Sequence, residues 1–155
     1  MTTPADTMLH VIRRSWHWTG LDAAEVVAEN DFGNVIVRAA DGAYWRICPE
    51  DLSCRPIARD AGEYAGRCRE PGFQRDWEMR ALVDLARTLL GPATADRCYC
   101  LKLPAPLGGA YDASNLGMIS RAELLSFAGD AAMQLQDVPD GSQVVLRLKT
   151  TERDG

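Results

Sequence analysis

The chain has 155 residues, of which 46% are hydrophobic, and it carries 17 basic against 22 acidic residues for a net charge of −5. A chain of this length can bury one hydrophobic core but is short for two, so residues 1–155 are expected to form a single compact domain. The acidic surplus disfavours direct binding to a nucleic acid backbone and favours a basic partner.

The sequence also argues against a membrane, a metal and a cofactor. No window approaches the roughly 18 apolar residues of a membrane span, and "MTTPADTMLHVIRRSW" lacks the apolar run of a signal peptide. We therefore expect a cytoplasmic protein with no membrane partner. The five cysteines include no C-x-x-C pair and are accompanied by only two histidines, so we predict no metal site and no cofactor. Cys98 and Cys100 are expected to pack in the core as reduced thiols.

The N-terminal third predicts one helix followed by strands. Met8, Leu9, Ile12 and Trp16 recur at helical spacing and indicate a short amphipathic helix near residues 7–17, with Gly20 as its stop.

Three runs favouring β-structure follow this helix: "EVVAEN", "NVIVRAA" and "AYWRIC". They are separated by turn signals at residues 31–33 and at Asp41-Gly42, because glycine adopts the positive φ that hairpin turns require. This pattern predicts an antiparallel meander that ends at Pro49. The run "LSCRPIARD" is expected to add an irregular edge segment, since Pro56 is unsuited to a central strand.

The middle of the chain predicts its clearest helix at residues 73–90, after helical sequence from Glu63 and a break at Pro71-Gly72. Asp76 and Arg80 are spaced as an i,i+4 ion pair. The apolar face of this helix is expected to consist of Trp77, Ala81, Leu82, Leu85, Ala86 and Leu89.

The C-terminal third predicts strands in "RCYCLKL" and "NLGMIS", then a helix near 121–136. Ser120 and Glu123 form the capping box of that helix, and its buried stripe is expected to include Leu135. A "PDG" turn leads to a final strand, "QVVLRLK", and a loose polar tail at 150–155. The expected fold class is α+β, an antiparallel sheet flanked by about three main helices.

The stretch "LGGAYDASNLGMIS" could in principle hold a phosphate or a metal ion. A phosphate loop joins a strand directly to a helix N-terminus, whereas about ten residues separate Gly108 and Gly109 from the next helix. Asp112 and Asn115 could ligate a cation through oxygen, although a calcium loop would supply more acids. We interpret both side chains as bonding to nearby backbone in an Asx-type turn.

The stretch "DFGNVIVRAADGAYWRICPED" places Trp45, Arg46, Glu50 and Asp51 close together in sequence. Paired carboxylates can act as general acid and base, but adjacent residues on a strand or turn tend to point apart. The other interpretation is a core Trp45, with Arg46 pairing one of the acids at the surface. No serine, histidine and acid arrangement emerges, so we predict a binding protein without catalytic residues. The alternative is a small nucleotide- or metal-dependent enzyme using Glu50, Asp51 and Asp112.

Three blocks of the chain, in their order, resemble a known family. They are "FGNVIVRAADGAYWRICPEDL", "YCLKLPAPLGGAYDASNLGMIS" and "FAGDAAMQLQDVPDG". The family is that of the bacterial immunity proteins paired with DNase effectors of the type VI secretion system, in particular their C-terminal domain. The resemblance covers about residues 20–145, and its most distinctive parts are W-R-I-C-P-E-D, L-G-G-x-Y-D and P-D-G.

The resemblance implies a cytoplasmic protein that binds and neutralises a cognate toxin encoded by the adjacent gene. No catalytic residues carry over from it. An acidic inhibitor suits the basic surface with which a nuclease holds DNA, and aromatic and arginine side chains dominate tight interfaces. The hypothesised toxin-binding residues are Trp45, Arg46, Glu50, Asp51, Tyr111, Asp112 and Asn115.

Overall fold

The structure is a computed structural model that describes residues 3–139 and 141–145. Within these residues the α-helices are α1 (Pro4–Trp16), α2 (Ala61–Arg69), α3 (Pro71–Glu78), α4 (Arg80–Leu90) and α5 (Arg121–Leu135). The strands are β1 (Ala23–Glu29), β2 (Val35–Ala39), β3 (Tyr44–Cys48), β4 (Ser53–Ala58), β5 (Arg97–Leu101) and β6 (Leu116–Ser120). The fold class is α+β, as the sequence predicts.

The first four strands form an antiparallel sheet in the order β1-β2-β3-β4. The turn between β2 and β3 has the predicted chemistry, because Gly42 has a φ of +91° and the Asp41 carboxylate accepts the Ala43 N–H at 3.0 Å. The expected edge segment is β4, whose pairing with β3 shifts register next to Pro56. Proline is tolerated there because an edge strand leaves half of its N–H groups unpaired.

Helices cover both faces of this sheet. Side chains alternate along each strand, so Val37 and Ile47 pack towards α1 and α5, whereas Ile36 and Tyr44 pack towards α2 and α3. The buried Trp16 joins the two helices of the first layer by donating its indole N–H to the Leu125 carbonyl at 3.0 Å.

Strands β5 and β6 pair as a separate two-stranded sheet between α4 and α5. Tyr99 and Leu101 pack against α4, while Cys98 and Cys100 point the other way, towards Leu124 of α5. The two thiols are buried and reduced, as expected. Burial raises the pKa of Cys98 to about 12, so this thiol stays protonated at neutral pH.

Helix α1 begins at Pro4, three residues before the predicted start. Thr3 caps it by accepting the Asp6 N–H at 3.1 Å, and the Asp6 carboxylate accepts the Thr3 N–H at 3.1 Å. The prediction was wrong because the apolar residues begin only at Met8, one turn after this capping box.

The predicted helix 73–90 is interrupted at Met79, which has a φ of +47° and separates α3 from α4. The predicted Asp76–Arg80 pair is therefore wrong: Arg80 pairs with Glu78 at 3.3 Å, and Asp76 pairs with Arg46. The predicted apolar face is wrong in part for the same reason. Ala86 and the unpredicted Val83 are buried, whereas Ala81, Leu85 and Leu89 are exposed.

Helix α5 begins and ends close to the predicted bounds, and the Ser120 hydroxyl caps it by accepting the Glu123 N–H at 3.1 Å. This is half of the predicted capping box, since the Glu123 side chain makes no return bond to the Ser120 N–H. Leu135 at its end is only half-buried. The turn after it is confirmed by a bond from the Ser142 N–H to the Pro139 carbonyl. The predicted final strand is wrong for residues 143–145, which belong to no strand. Residues 146–149 and the tail at 150–155 lie outside the described residues. No helix in the described ranges combines the length and apolar character needed to cross a bilayer.

The packing of α1 against α5 depends on a glycine. A Cβ added to Gly129 would lie 2.5 Å from the Ser15 carbonyl oxygen, so Gly129→Ala should force the helices apart and lower the free energy of unfolding by about 1–3 kcal/mol. Gly66 of α2 is the matched control, because a Cβ there meets nothing within 4 Å. Gly66→Ala should raise stability by about 0.5–1 kcal/mol through helix propensity. Urea denaturation measures both changes, and equal effects of the two substitutions would contradict the close approach.

Candidate interaction site

The two conspicuous stretches of the sequence meet in the fold. The short helical turn Pro49–Asp51 follows β3, and the loop of residues 103–115 joins β5 to β6. The Tyr111 hydroxyl donates a hydrogen bond to Asp51 Oδ1 across 60 positions of sequence. Asp51 and Tyr111 are exposed, and Tyr111 retains 48% of its accessible surface. With the neighbouring exposed Asp112 they form a surface that we call the Asp51–Tyr111 surface.

The adjacent carboxylates of Glu50 and Asp51 point apart, as expected. Asp51 faces solvent, whereas Glu50 is only 6% exposed and accepts a hydrogen bond from Asn34 Nδ2 at 2.8 Å. The predicted alternative, an enzyme that uses Glu50, Asp51 and Asp112 together, therefore gains no support from the geometry, because each carboxylate is bound to different partners.

Burial sets the ionisation of Glu50. Loss of hydration raises its pKa from 4.5 to about 7, against the hydrogen bonds and the nearby Arg46 charge, which lower it. The carboxyl therefore titrates close to neutral pH. The turn that carries Glu50 packs against α5 and β5, where the charged form of the carboxyl is poorly solvated.

Arg46 lies on the face of the sheet that α2 and α3 cover, and only 9% of its surface is exposed to solvent. Its Nε and Nη2 atoms donate to Asn34 Oδ1 at 3.2 and 2.9 Å, and Nη1 donates to Asp76 Oδ2 of α3. The guanidinium carbon lies 5.1 Å from the centre of the Trp77 ring. The expectation that Arg46 pairs with Glu50 or Asp51 is corrected: its acid is Asp76, which lies outside the stretch that the sequence singled out.

Trp45 faces the opposite side of β3 from Arg46. It is half-buried and packs against the core formed with α1 and α5. This follows from the alternation of side chains along a strand, which sends neighbouring residues to opposite faces of the sheet. The structure therefore does not bring Trp45 and Arg46 together on one surface.

The glycine-rich loop turns the chain and is locked by its own polar side chains. Gly108 has a φ of +98°, and a Cβ added to Gly109 would lie 1.7 Å from the Leu103 carbonyl oxygen. Asp112 accepts the Ser114 N–H at 3.1 Å, which confirms the predicted Asx-type turn. Asn115 is buried and donates to the carbonyls of Leu103 and Ala110, both at 2.9 Å. These contacts give the loop a defined shape without any ligand.

Of the seven residues predicted to contact a toxin, the structure groups Asp51, Tyr111 and Asp112 at the surface. The other four are buried or half-buried and hold the fold together: Trp45, Arg46, Glu50 and Asn115. Sequence reasoning missed Asn34 and Asp76, the partners of Arg46. The one indication in the sequence is that a charged residue at an inward-facing strand position requires polar partners. Within the described ranges, no three His, Cys, Asp or Glu side chains are placed to hold a metal ion.

The buried Glu50 makes stability depend on pH. Because its pKa is higher in the folded state, the folded protein binds more protons between pH 4.5 and 7, and stability falls as the pH rises through that window. Glu50→Gln keeps the acceptor for Asn34 and removes the titration. The unfolding free energy of the variant minus that of the parent should increase by about 2–3 kcal/mol from pH 5 to pH 8, because only the parent loses stability over this range.

Chemical denaturation of both proteins at the two pH values measures this difference. Glu29→Gln, at an exposed carboxylate at the end of β1, controls for the loss of one negative charge. An advantage of Glu50→Gln that is the same at pH 5 and pH 8 would show that Glu50 does not titrate in this range.

Residues 60–131, which span α2 to most of α5, match the family described as T6SS immunity protein Tdi1, C-terminal. No curated protein sequence matches the chain at a significant level. Gly108, Gly109, Tyr111 and Asp112 lie inside the matched segment, whereas β1 to β4 precede it. The match confirms, over residues 60–131, the resemblance of this protein to the type VI secretion immunity proteins.

Proposed function

We propose that this protein binds and neutralises a cognate effector of a type VI secretion system in the cytoplasm of the cell that makes it. The observation that carries the proposal is the match of residues 60–131 to the immunity protein family. The effector is expected to be encoded by the adjacent gene, and a DNase is the preferred class. The inhibitor acts by occupying a surface of the effector, one molecule for one.

The charge of the chain supports a nuclease as the partner. A nuclease holds DNA on a basic surface, and the net charge of −5 attracts such a surface and accelerates encounter. Association should therefore slow as salt is added, while a partner bound only through apolar contact would associate at a rate nearly independent of salt.

The Asp51–Tyr111 surface is the proposed centre of contact. Tyr111 presents an aromatic ring that is 48% exposed, on a loop fixed by Asn115 and by the bond to Asp51. An aromatic side chain that is already ordered loses little conformational freedom on binding. Tyrosine is also among the residues that contribute most to protein interfaces.

The first experiment is co-expression with the product of the adjacent open reading frame. The proposal predicts a stable one-to-one complex and survival of cells that would otherwise die from the effector. Cells that die equally with and without this protein, together with no complex from purified components, would refute it.

The second experiment distinguishes the contribution of the Tyr111 ring to effector binding from that of its hydroxyl. Tyr111→Ala removes the exposed ring and should weaken effector binding by about tenfold to a hundredfold, the range of an interface anchor. Tyr111→Phe is the matched control, because it keeps the ring and loses only the bond to Asp51. It should weaken binding by less than tenfold. Isothermal titration calorimetry measures both affinities, and unchanged affinity in Tyr111→Ala would place the contact elsewhere.

A further inference from the structure

A groove rich in arginine lies beside the Asp51–Tyr111 surface, in a chain that is acidic as a whole. It has a volume of about 450 Å³ and lies between strands β3 and β4 and helices α2 and α3. We call it the arginine groove, and its polar and charged lining residues are Arg46, Asp51, Ser53, Arg55, Arg67 and Asp76.

The charge of this region differs from that of the rest of the protein. Residues 53–80 contain six basic and five acidic residues, whereas the remainder of the chain contains 11 basic and 17 acidic residues. The acidic surplus that would attract a basic partner therefore lies outside the segment that builds most of the groove.

The strand register places two arginines opposite each other. Arg46 of β3 and Arg55 of β4 are paired in the ladder, so their side chains leave the same face of the sheet. Like charges in this position repel each other. Arg46 is neutralised by Asp76 and held by Asn34, as described above. Arg55 is exposed and has no hydrogen bond or ion pair with any described residue.

Arg67 adds a second available guanidinium from α2. Its Nε donates to the Ile57 carbonyl of β4 at 3.2 Å, which fixes the side chain across the edge of the sheet. Its Nη1 lies 3.7 Å from Glu70, and the side chain remains 46% exposed. A guanidinium has five N–H groups, so the hydrogen bond to Ile57 and the long ion pair with Glu70 still leave N–H groups for an incoming carboxylate.

The two acids of the groove do not satisfy these arginines. Asp76 is engaged by Arg46, and Asp51 accepts the Tyr111 hydroxyl at the rim of the groove. Among the described residues, Arg55 therefore remains without an acidic partner, and Arg67 is paired only with Glu70, which lies outside the groove lining. The groove is continuous with the surface that bears Tyr111.

We propose that the arginine groove receives an acidic segment of the effector, with Arg55 and Arg67 pairing carboxylates of that segment. This inference rests on the proposed function. It adds a second contact in which the charges are reversed, because here the inhibitor supplies the basic groups and the effector the acidic ones. The acidic remainder of the inhibitor attracts a basic surface, while the groove fixes orientation through bidentate arginine–carboxylate bonds. A nucleic acid does not suit the groove, because it is a long polyanion that would extend beyond the groove and be repelled by the acidic rest of the protein.

The test compares charge reversals at three exposed arginines. Arg55→Glu and Arg67→Glu should each weaken effector binding by at least tenfold, and Arg55→Lys should weaken it less. Arg14→Glu, at an exposed position of α1 away from the groove, makes the same charge change and should leave affinity within threefold. Thermal unfolding verifies that each variant folds. Equal affinity of the two groove variants and the parent would overturn the proposal and leave the proposed function intact.

A titration of the protein alone tests the groove without the effector. Hexaglutamate peptide should shift the backbone amide NMR signals of Ser53, Arg55 and Ile57, and Arg55→Glu should abolish the shifts. Hexalysine should leave these signals unchanged. Shifts of equal size with inorganic phosphate, or none with hexaglutamate, would contradict recognition of an acidic peptide. A wild-type protein that does not bind the effector refutes the proposed function, and with it the assignment of this segment to the effector.

Discussion

The side chain of Asn34 joins the parts of the structure on which the proposed interaction surface depends. This amide is fully buried, donates to Glu50 and accepts two bonds from Arg46. Arg46 in turn binds Asp76. The contacts link the start of β2, the turn after β3, the strand β3 itself and helix α3. A buried polar group without a partner destabilises a fold by about 1–3 kcal/mol, and within the described ranges every buried side-chain nitrogen and oxygen has one.

This buried chain of polar groups determines what the surface presents. Because Glu50 is held inward by Asn34, its neighbour Asp51 projects outward, where it meets Tyr111. The loop that carries Tyr111 is fixed by Asn115. On the face of the sheet that α2 and α3 cover, Asp76 and Asn34 bind Arg46, whereas Arg55 has no hydrogen-bond or ion-pair partner among the described residues. A surface that is already ordered before binding loses less conformational entropy when the complex forms.

Much of the fold could be predicted from local sequence. The turn at Asp41-Gly42, the cap at Ser120 and the edge position of Pro56 each depend on residues close together in the chain, and all three are confirmed. The break at Met79 was not predicted, because a positive φ at a non-glycine residue leaves no mark in hydrophobic periodicity. The start of α1 was missed because its capping box precedes the apolar residues.

The site was predictable only in part. Sequence reasoning selected two stretches that meet in the fold, and it predicted the divergence of Glu50 and Asp51, since alternation and turn chemistry are local properties. It could not identify Asp76 as the partner of Arg46 or Asp51 as the partner of Tyr111. These pairs lie 30 and 60 positions apart, and only the register of the sheet and the path of the loop bring them together.

Hydrogen exchange of the protein, alone and in complex with the effector, tests the central claim most directly. The claim is that one continuous surface, from the turn at residues 49–51 and strand β4 to the loop at 108–113, contacts the effector. The account predicts slowed exchange in these two segments on complex formation, with little change in α1. Protection confined to the exposed leucines of α4, or to α1 and β1, with these segments unchanged, would contradict it.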